Sequence, residues 1–289
     1  MSVSHAEPAL PRDRPRPGVL REMFNAHELL GQLIKRDLRL RYRQAVMGFA
    51  WAILMPALTI GAGLVIRSVM AQGASGEDVP SIGGITIKSW AWAFFAGGMN
   101  FGTTSLLGNI SLVTKIYFPR EVLPAAAIAT QGVDSLLSLA LILLAGPWLG
   151  FHWSVQLLWM PLLILVLAVF TTGLAFLFAC ANLFFRDVKY ILQVLLTFGV
   201  LLTPVFVEPA MAPRLTGRLL MLNPLGPILE GMRLTLVSGG SIGHTIYNAH
   251  GVPVWTPWHL VYSMIFAAAI FVIGISAFRR TASMFAEYY

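Results

Sequence analysis

The run LLWMPLLILVLAVFTTGLAFLF, Leu157–Phe178, holds no charged residue and no break other than Pro161 near its start. A hydrocarbon core of about 30 Å takes roughly 20 helical residues, so this run reads as a bilayer span with faces touching lipid. Working outward, similar apolar stretches place six spans near 45–70, 89–113, 125–148, 157–183, 190–207 and 259–278. The composition agrees: the 289 residues are 57% hydrophobic and 11% charged, with a mean hydropathy of +0.73. Soluble domains carry about a quarter charged residues, so a soluble core is excluded.

The loops orient the spans. Of 20 Lys and Arg residues, nine precede the first span and two each lie in the second-to-third loop (Lys115, Arg120), the fourth-to-fifth loop (Arg186, Lys189) and after the last span (Arg279, Arg280). The positive-inside rule then puts both termini in the cytoplasm. The pI near 9.9 follows from these membrane-end charges and from anionic head groups, and does not call for a nucleic-acid partner.

Residues 1–23 interleave Arg12, Arg14 and Arg16 with Pro11, Pro15 and Pro17 and lack the apolar centre of a signal peptide, so they read as a disordered cytoplasmic tail before a permease domain over 24–289. From 24 to 43, Leu30, Ile34, Leu38 and Tyr42 recur every fourth residue with Leu33 beside them, while Lys35, Arg36, Arg39 and Arg43 take other faces. This spacing predicts a basic amphipathic helix lying in the interface.

The second span is unusually polar, with Asn100, Thr103, Thr104, Ser105 and Asn109, and must face protein or a watery path. Its Gly98 and Gly102 form a close-packing pair. The fifth span is cut at Thr203-Pro204. The following stretch holds Arg214, Arg218, Glu230 and Arg233 among prolines, so two short helices, 212–222 and 225–237, are expected to dip into the outer leaflet and return, sheltered by protein. Glu230 and Arg233, three apart, are placed to pair. Asp134 is the one acid well inside a span, read as a hydrogen-bonded structural group or, less favoured, a proton relay.

Reaction chemistry is missing. No Gly precedes any of the four lysines, so there is no phosphate-binding loop, and neither GxSxG nor HExxH occurs. Cys180 is single, and the six histidines show no metal-ligand spacing.

The run Arg36-Asp37-Leu38-Arg39-Leu40-Arg41-Tyr42-Arg43-Gln44, followed by Gly48-Phe49-Ala50-Trp51-Ala52 and Pro56, resembles the opening of the type 2 ABC permeases that export polysaccharides. Asn182-Leu183-Phe184-Phe185-Arg186-Asp187-Val188 resembles that family's link between spans four and five. Pro204-Val205-Phe206, then Leu222-Asn223-Pro224-Leu225 and Glu230, resembles its outward re-entrant region. The likeness runs from about residue 30 to the C-terminus; the tail, 73–87 and 239–255 match nothing in it.

The resemblance implies an all-α, six-span inner-membrane permease, dimerising with itself around a channel for a lipid-linked glycan. Two copies of a separate nucleotide-binding ATPase subunit would bind ATP and Mg, leaving this chain without a cofactor. It implies that the ATPase docks on Lys115, Ile116, Tyr117, Phe118, Arg120 and Glu121, and that Trp51, Tyr190, Phe198 and Phe206 line the channel of spans one and five. Asn223, Glu230 and Arg233 belong to the re-entrant gate. Arg41 and Arg43, at head-group depth, are the expected holders of an anionic lipid phosphate. A small-molecule or drug efflux permease shares this topology, and a secondary transporter would show paired intramembrane acids or an inverted repeat.

Overall fold

A computed structural model of the protein describes residues 27–43, 50–72, 80–110, 112, 119–247 and 253–282. The tail expected over 1–23, and Lys115, Ile116, Tyr117 and Phe118, lie outside the described residues, as do the side chains of Arg43 and Trp51.

The regular elements of the described chain are helices, apart from a short antiparallel pair, β1 (Ile246–Tyr247) and β2 (Pro253–Trp255). The amphipathic segment forms α1 (His27–Arg43) and the first apolar stretch forms α2 (Ala50–Ala71). Helix α3 (Ile82–Gly108) begins seven residues before the expected boundary of 89. Ser81 caps it, its Oγ accepting from Gly84 N at 3.2 Å, and Lys88 is carried inside the helix rather than marking its edge. Helix α4 (Val122–Leu144) stops short of 148; the chain turns at Gly146-Pro147 into a single-turn helix, α5 (Gly146–Leu149). A 3-10 turn, Val155–Trp159, leads into α6 (Met160–Phe184). Helix α7 (Val188–Gly199) runs into a 3-10 turn, Val200–Leu202, and ends at the expected Thr203-Pro204. The helical pair that follows is α8 (Arg214–Leu222) and α9 (Leu225–Leu236), and α10 (Pro257–Ala282) closes the bundle.

Among the described residues, three helical stretches, Val122–Leu144, Val155–Phe184 and Pro257–Thr281, are long and apolar enough to cross a membrane. Helix α3 has the length, but its Gly, Thr and Asn residues and Lys88 dilute its hydropathy; Val188–Leu202 is apolar but short.

Small residues set the packing. Helices α6 and α10 share the longest interface, and at its centre the backbones touch: a Cβ on Gly173 would lie 2.6 Å from Phe271 Cα, and one on Gly274 would lie 2.2 Å from the Gly173 carbonyl oxygen. Gly98 and Gly102 of α3 face Thr171 and Ala175 of α6, where added Cβ atoms would fall 2.7 Å from those side chains. The pair read from sequence as a close-packing device therefore brings α3 against α6. Around these crossings lies the larger core, in which Phe95 stacks on Phe170 at 5.9 Å and Trp90 Nε1 donates to the Ser135 carbonyl at 2.8 Å. A second cluster around Phe176, Phe278 and Leu33 fills the end of the bundle where α1 docks.

Candidate functional site

Charged side chains gather at both ends of the bundle, and each group joins helices that are far apart in sequence.

At the end carrying α8 and α9, four ionisable side chains are buried together. Lys88 of α3 is 0% exposed and Glu230 of α9 is 1% exposed. Arg233 donates from Nε and Nη2 to Glu230 Oε1 at 2.9 and 2.5 Å, which is the i,i+3 pairing the spacing suggests. Its Nη1 lies 3.2 Å from Glu208 Oε2, in the loop after α7. Glu208 Oε1 accepts from Ser81 N and from Ser81 Oγ, both at 3.0 Å. Lys88 Nζ donates to the Val207 carbonyl at 3.3 Å and lies 3.9 Å from Glu230 Oε2, an oxygen with no hydrogen-bond partner. Two cations and two anions balance, which is the condition for burying them at tolerable cost.

The tip of the α8–α9 hairpin is held separately. Tyr262 Oη donates to the Leu222 carbonyl at 2.7 Å and Ser263 Oγ to the Pro224 carbonyl at 2.9 Å, both from α10. Asn223 donates to the Leu202 carbonyl at 3.2 Å, tying the tip to the end of α7. Asn223, Glu230 and Arg233, grouped in the sequence reading, therefore divide between tip and base. Lys88, Glu208 and Ser81 were missed; the available signal was that ionisable groups within apolar segments need partners, and Lys88 had none assigned.

At the opposite end, α1 is clamped to α3 and α4. Arg41 forms an ion pair with Asp134, donates to Gln131 Oε1 at 3.2 Å and lays its guanidinium 3.8 Å from the centre of the Phe101 ring. Tyr42 Oη donates to Asp134 Oδ1 at 2.9 Å, and burial together with that carboxylate pushes the phenol above its ordinary range. Arg36 donates to Asn109 Oδ1 at 2.7 Å. A cavity of about 240 Å³ lies in this seam, lined by Leu33, Arg36, Arg41, Phe101, Asn109 and Leu123 among others. Asp134 thus has the charged partner the sequence reading did not find for it, supplied by the interfacial helix. Arg41, expected to be open to a lipid phosphate, already pairs through Nη1 with one oxygen of a carboxylate.

Of the expected ATPase-docking residues, Glu121 is buried and accepts from Arg279 Nε at 3.0 Å, which ties the end of the second-to-third loop to α10. Of the expected channel residues, Tyr190 and Phe198 stand 59% and 61% exposed on α7, whereas Phe206 is half-buried against the core. Among the described residues no His, Cys, Asp and Glu side chains are grouped to hold a metal ion.

These features define a multi-pass helical membrane protein whose charged groups serve helix–helix joints and whose sequence holds no phosphate-binding loop. Residues 28–237 match the ABC-2 type transporter family, and the chain belongs to it. Members are transmembrane subunits, and ATP hydrolysis is carried out by a separate nucleotide-binding ATPase subunit, so this chain is not an enzyme. The chain is 30% identical over 210 residues to the O-antigen export system permease protein RfbA of Myxococcus xanthus, covering 72% of this chain and 79% of that one. It is 25% identical over 214 residues to a Klebsiella pneumoniae protein of the same description, covering 73% and 81%.

Proposed function

We propose that the chain is the channel-forming transmembrane subunit of an ATP-driven exporter that moves a lipid-linked polysaccharide from the cytoplasmic side across the inner membrane. The observation that carries this reading is the similarity, over nearly three quarters of the chain, to permeases named for O-antigen export in two organisms. In this reading α2, α3, α4, α6, α7 and α10 make six crossings, with both termini cytoplasmic. The α8–α9 hairpin re-enters from the outer side as a gate. Two copies assemble around a channel lined by Trp51, Tyr190, Phe198 and Phe206, and two ATPase subunits carrying ATP and Mg dock on Lys115, Ile116, Tyr117, Phe118, Arg120 and Glu121. Exposed aromatic rings suit a conduit for many sugars, because stacking on a pyranose does not depend on one hydroxyl pattern. Arg41 and Arg43 serve the anionic lipid phosphate, and for Arg41 the head group would have to compete with Asp134.

The test is reconstitution with the cognate ATPase in vesicles carrying a polyprenyl-pyrophosphate-linked glycan. ATP-dependent appearance of glycan on the far side is expected. ATP-dependent efflux of small amphiphilic dyes with no movement of glycan would replace this reading by a small-molecule efflux permease.

A further inference from the structure

The buried charges at the base of the hairpin are divided in a way that a simple structural staple does not require. Glu230 and Arg233 sit on one helix and pair with each other at 2.5 and 2.9 Å, so α9 carries a neutral unit. Glu208 is fixed to the start of α3 by two hydrogen bonds from Ser81 at 3.0 Å, and Lys88 of α3 holds the Val207 carbonyl at 3.3 Å, so α3 and the 207–208 loop carry one anion and one cation that sum to zero charge and are held by these hydrogen bonds, not by an ion pair with each other. Only two charge contacts join the units. These are Arg233 Nη1 to Glu208 Oε2 at 3.2 Å and Lys88 Nζ to Glu230 Oε2 at 3.9 Å, the latter beyond hydrogen-bond distance and ending on an oxygen that has no other partner. An ordinary buried ion pair, when pulled apart, strands one charge on each side, and that is what makes such pairs costly to open. Here each half keeps zero net charge after separation: Glu230 and Arg233 stay paired, while Lys88 and Glu208 lose their ion-pair partners but keep their hydrogen bonds to the Val207 carbonyl and to Ser81.

We propose that Ser81, Lys88, Glu208, Glu230 and Arg233 form a reversible latch, in which Lys88 and Glu208 are positioning residues that hold α9 against α3 and release it as a neutral unit. The release plane runs between α9 on one side and α3 with the 207–208 loop on the other. Gly84 shapes the seat: a Cβ there would lie 2.5 Å from Ser81 Oγ and 2.9 Å from Arg233 Cδ, so the absence of a side chain lets both the Ser81 hydroxyl and the Arg233 stem lie on α3. The latch deepens the reading of the hairpin as a gate and rests on it for its role in transport, but its existence is tested without transport.

The experiment uses the full complex with its ATPase, in a Cys180→Ser background, with spin labels at Trp148→Cys and Leu215→Cys. Both positions are exposed, one beside the start of α3 and one on α8. In complexes that carry the labels on one protomer only, the parent is expected to give one distance. Lys88→Met/Glu208→Gln removes both cross-contacts and leaves each half neutral, so the protein folds, and a second, longer distance appears. The unlatched fraction rises about tenfold or more from a minor state. Gly84→Ala, which changes no charge, shifts the distribution the same way. A single unchanged distance in both variants overturns the latch. If the longer distance appears while glycan export is unaltered, the latch stands and the gate reading falls.

Discussion

The crossing of α6 and α10 gives the most direct quantitative test of the fold. A methyl group at Gly173 would sit 2.6 Å from Phe271 N and Cα and 2.7 Å from the Ile270 carbonyl carbon. Carbon atoms in contact prefer about 3.5–4.0 Å. The obstructing atoms are backbone, which cannot rotate away, so Gly173→Ala must push the two helices apart by about 1 Å. A radial gap of that size forfeits roughly a quarter to a half of each contact's attraction along the interface. Overpacking of this kind costs about 1–3 kcal/mol, and the helix propensity gained by replacing Gly with Ala returns about 1. The expected net effect is a destabilisation of up to about 2 kcal/mol.

Gly274→Ala meets the Gly173 carbonyl oxygen at 2.2 Å and acts at the same point. Separating the helices once relieves both clashes, so the double variant is expected to lose less than the sum of the singles. Gly31→Ala, where an added Cβ meets nothing within 4 Å, is the control and should be neutral or stabilising. Chemical unfolding in detergent, followed by tryptophan fluorescence, reads all four proteins. Unfolding of Gly173→Ala at or above the parent's stability, or strict additivity of the pair, would refute the backbone contact at this crossing.

Asp134→Asn keeps an acceptor for Tyr42 but removes the charge facing Arg41, and is expected to weaken the docking of α1 by about 1–2 kcal/mol, seen as faster amide exchange over 27–43 with no change elsewhere. Tyr117→Ala/Phe118→Ala is expected to release the ATPase on purification, each buried aromatic anchor contributing about 2 kcal/mol or more; stoichiometric copurification would remove that loop as the dock. Arg41→Lys/Arg43→Lys preserves every positive charge, so insertion and orientation survive while export falls. Because Arg41 also serves the clamp, Arg43→Lys alone isolates head-group recognition, and full export by that variant would leave phosphate binding at that position without support.

The helices were legible where burial is local. Runs such as 157–183 and 259–278 are apolar on every face, and Thr203-Pro204 ends α7 because proline cannot continue it, so composition alone marked these elements. The Gly98–Gly102 spacing was legible for the same reason, since both residues fall on one face of α3. The apolar stretch expected from 89 follows directly on Lys88, whereas α3 starts at Ile82 and carries Lys88 inside it, where its charge faces Glu230 on a helix far along the chain. The Arg41–Asp134 pair was invisible for a similar reason: periodicity reports which face a residue occupies, and says nothing of which distant helix meets that face.

The uneven distribution of joints bears on where the bundle is able to move. Helices α3, α4 and α6 are joined by close-packed small residues, by the indole of Trp90 and by the Asn182 amide donating to the Thr103 carbonyl at 3.1 Å. Glu121 and Arg279 add α10 to this group, and Arg41 and Asp134 add α1. Helix α7 has Leu192 as its single buried residue, with Ile191, Val194, Leu195 and Phe198 all exposed, and among the described positions of α2 only Gly63 is buried. Gln193 and Thr197 are exposed on α7 among these apolar residues. In the proposed dimer a second copy would face α7 across a watery path, which would receive Gln193 and put Tyr190 and Phe198 beside the path. In the proposed assembly, force delivered at the 114–121 loop would move α4 together with α1 and α10; the hairpin, buried along α9 and tied at its tip to α10, would follow α10, and α7, with few joints of its own, would be left to rearrange around the substrate.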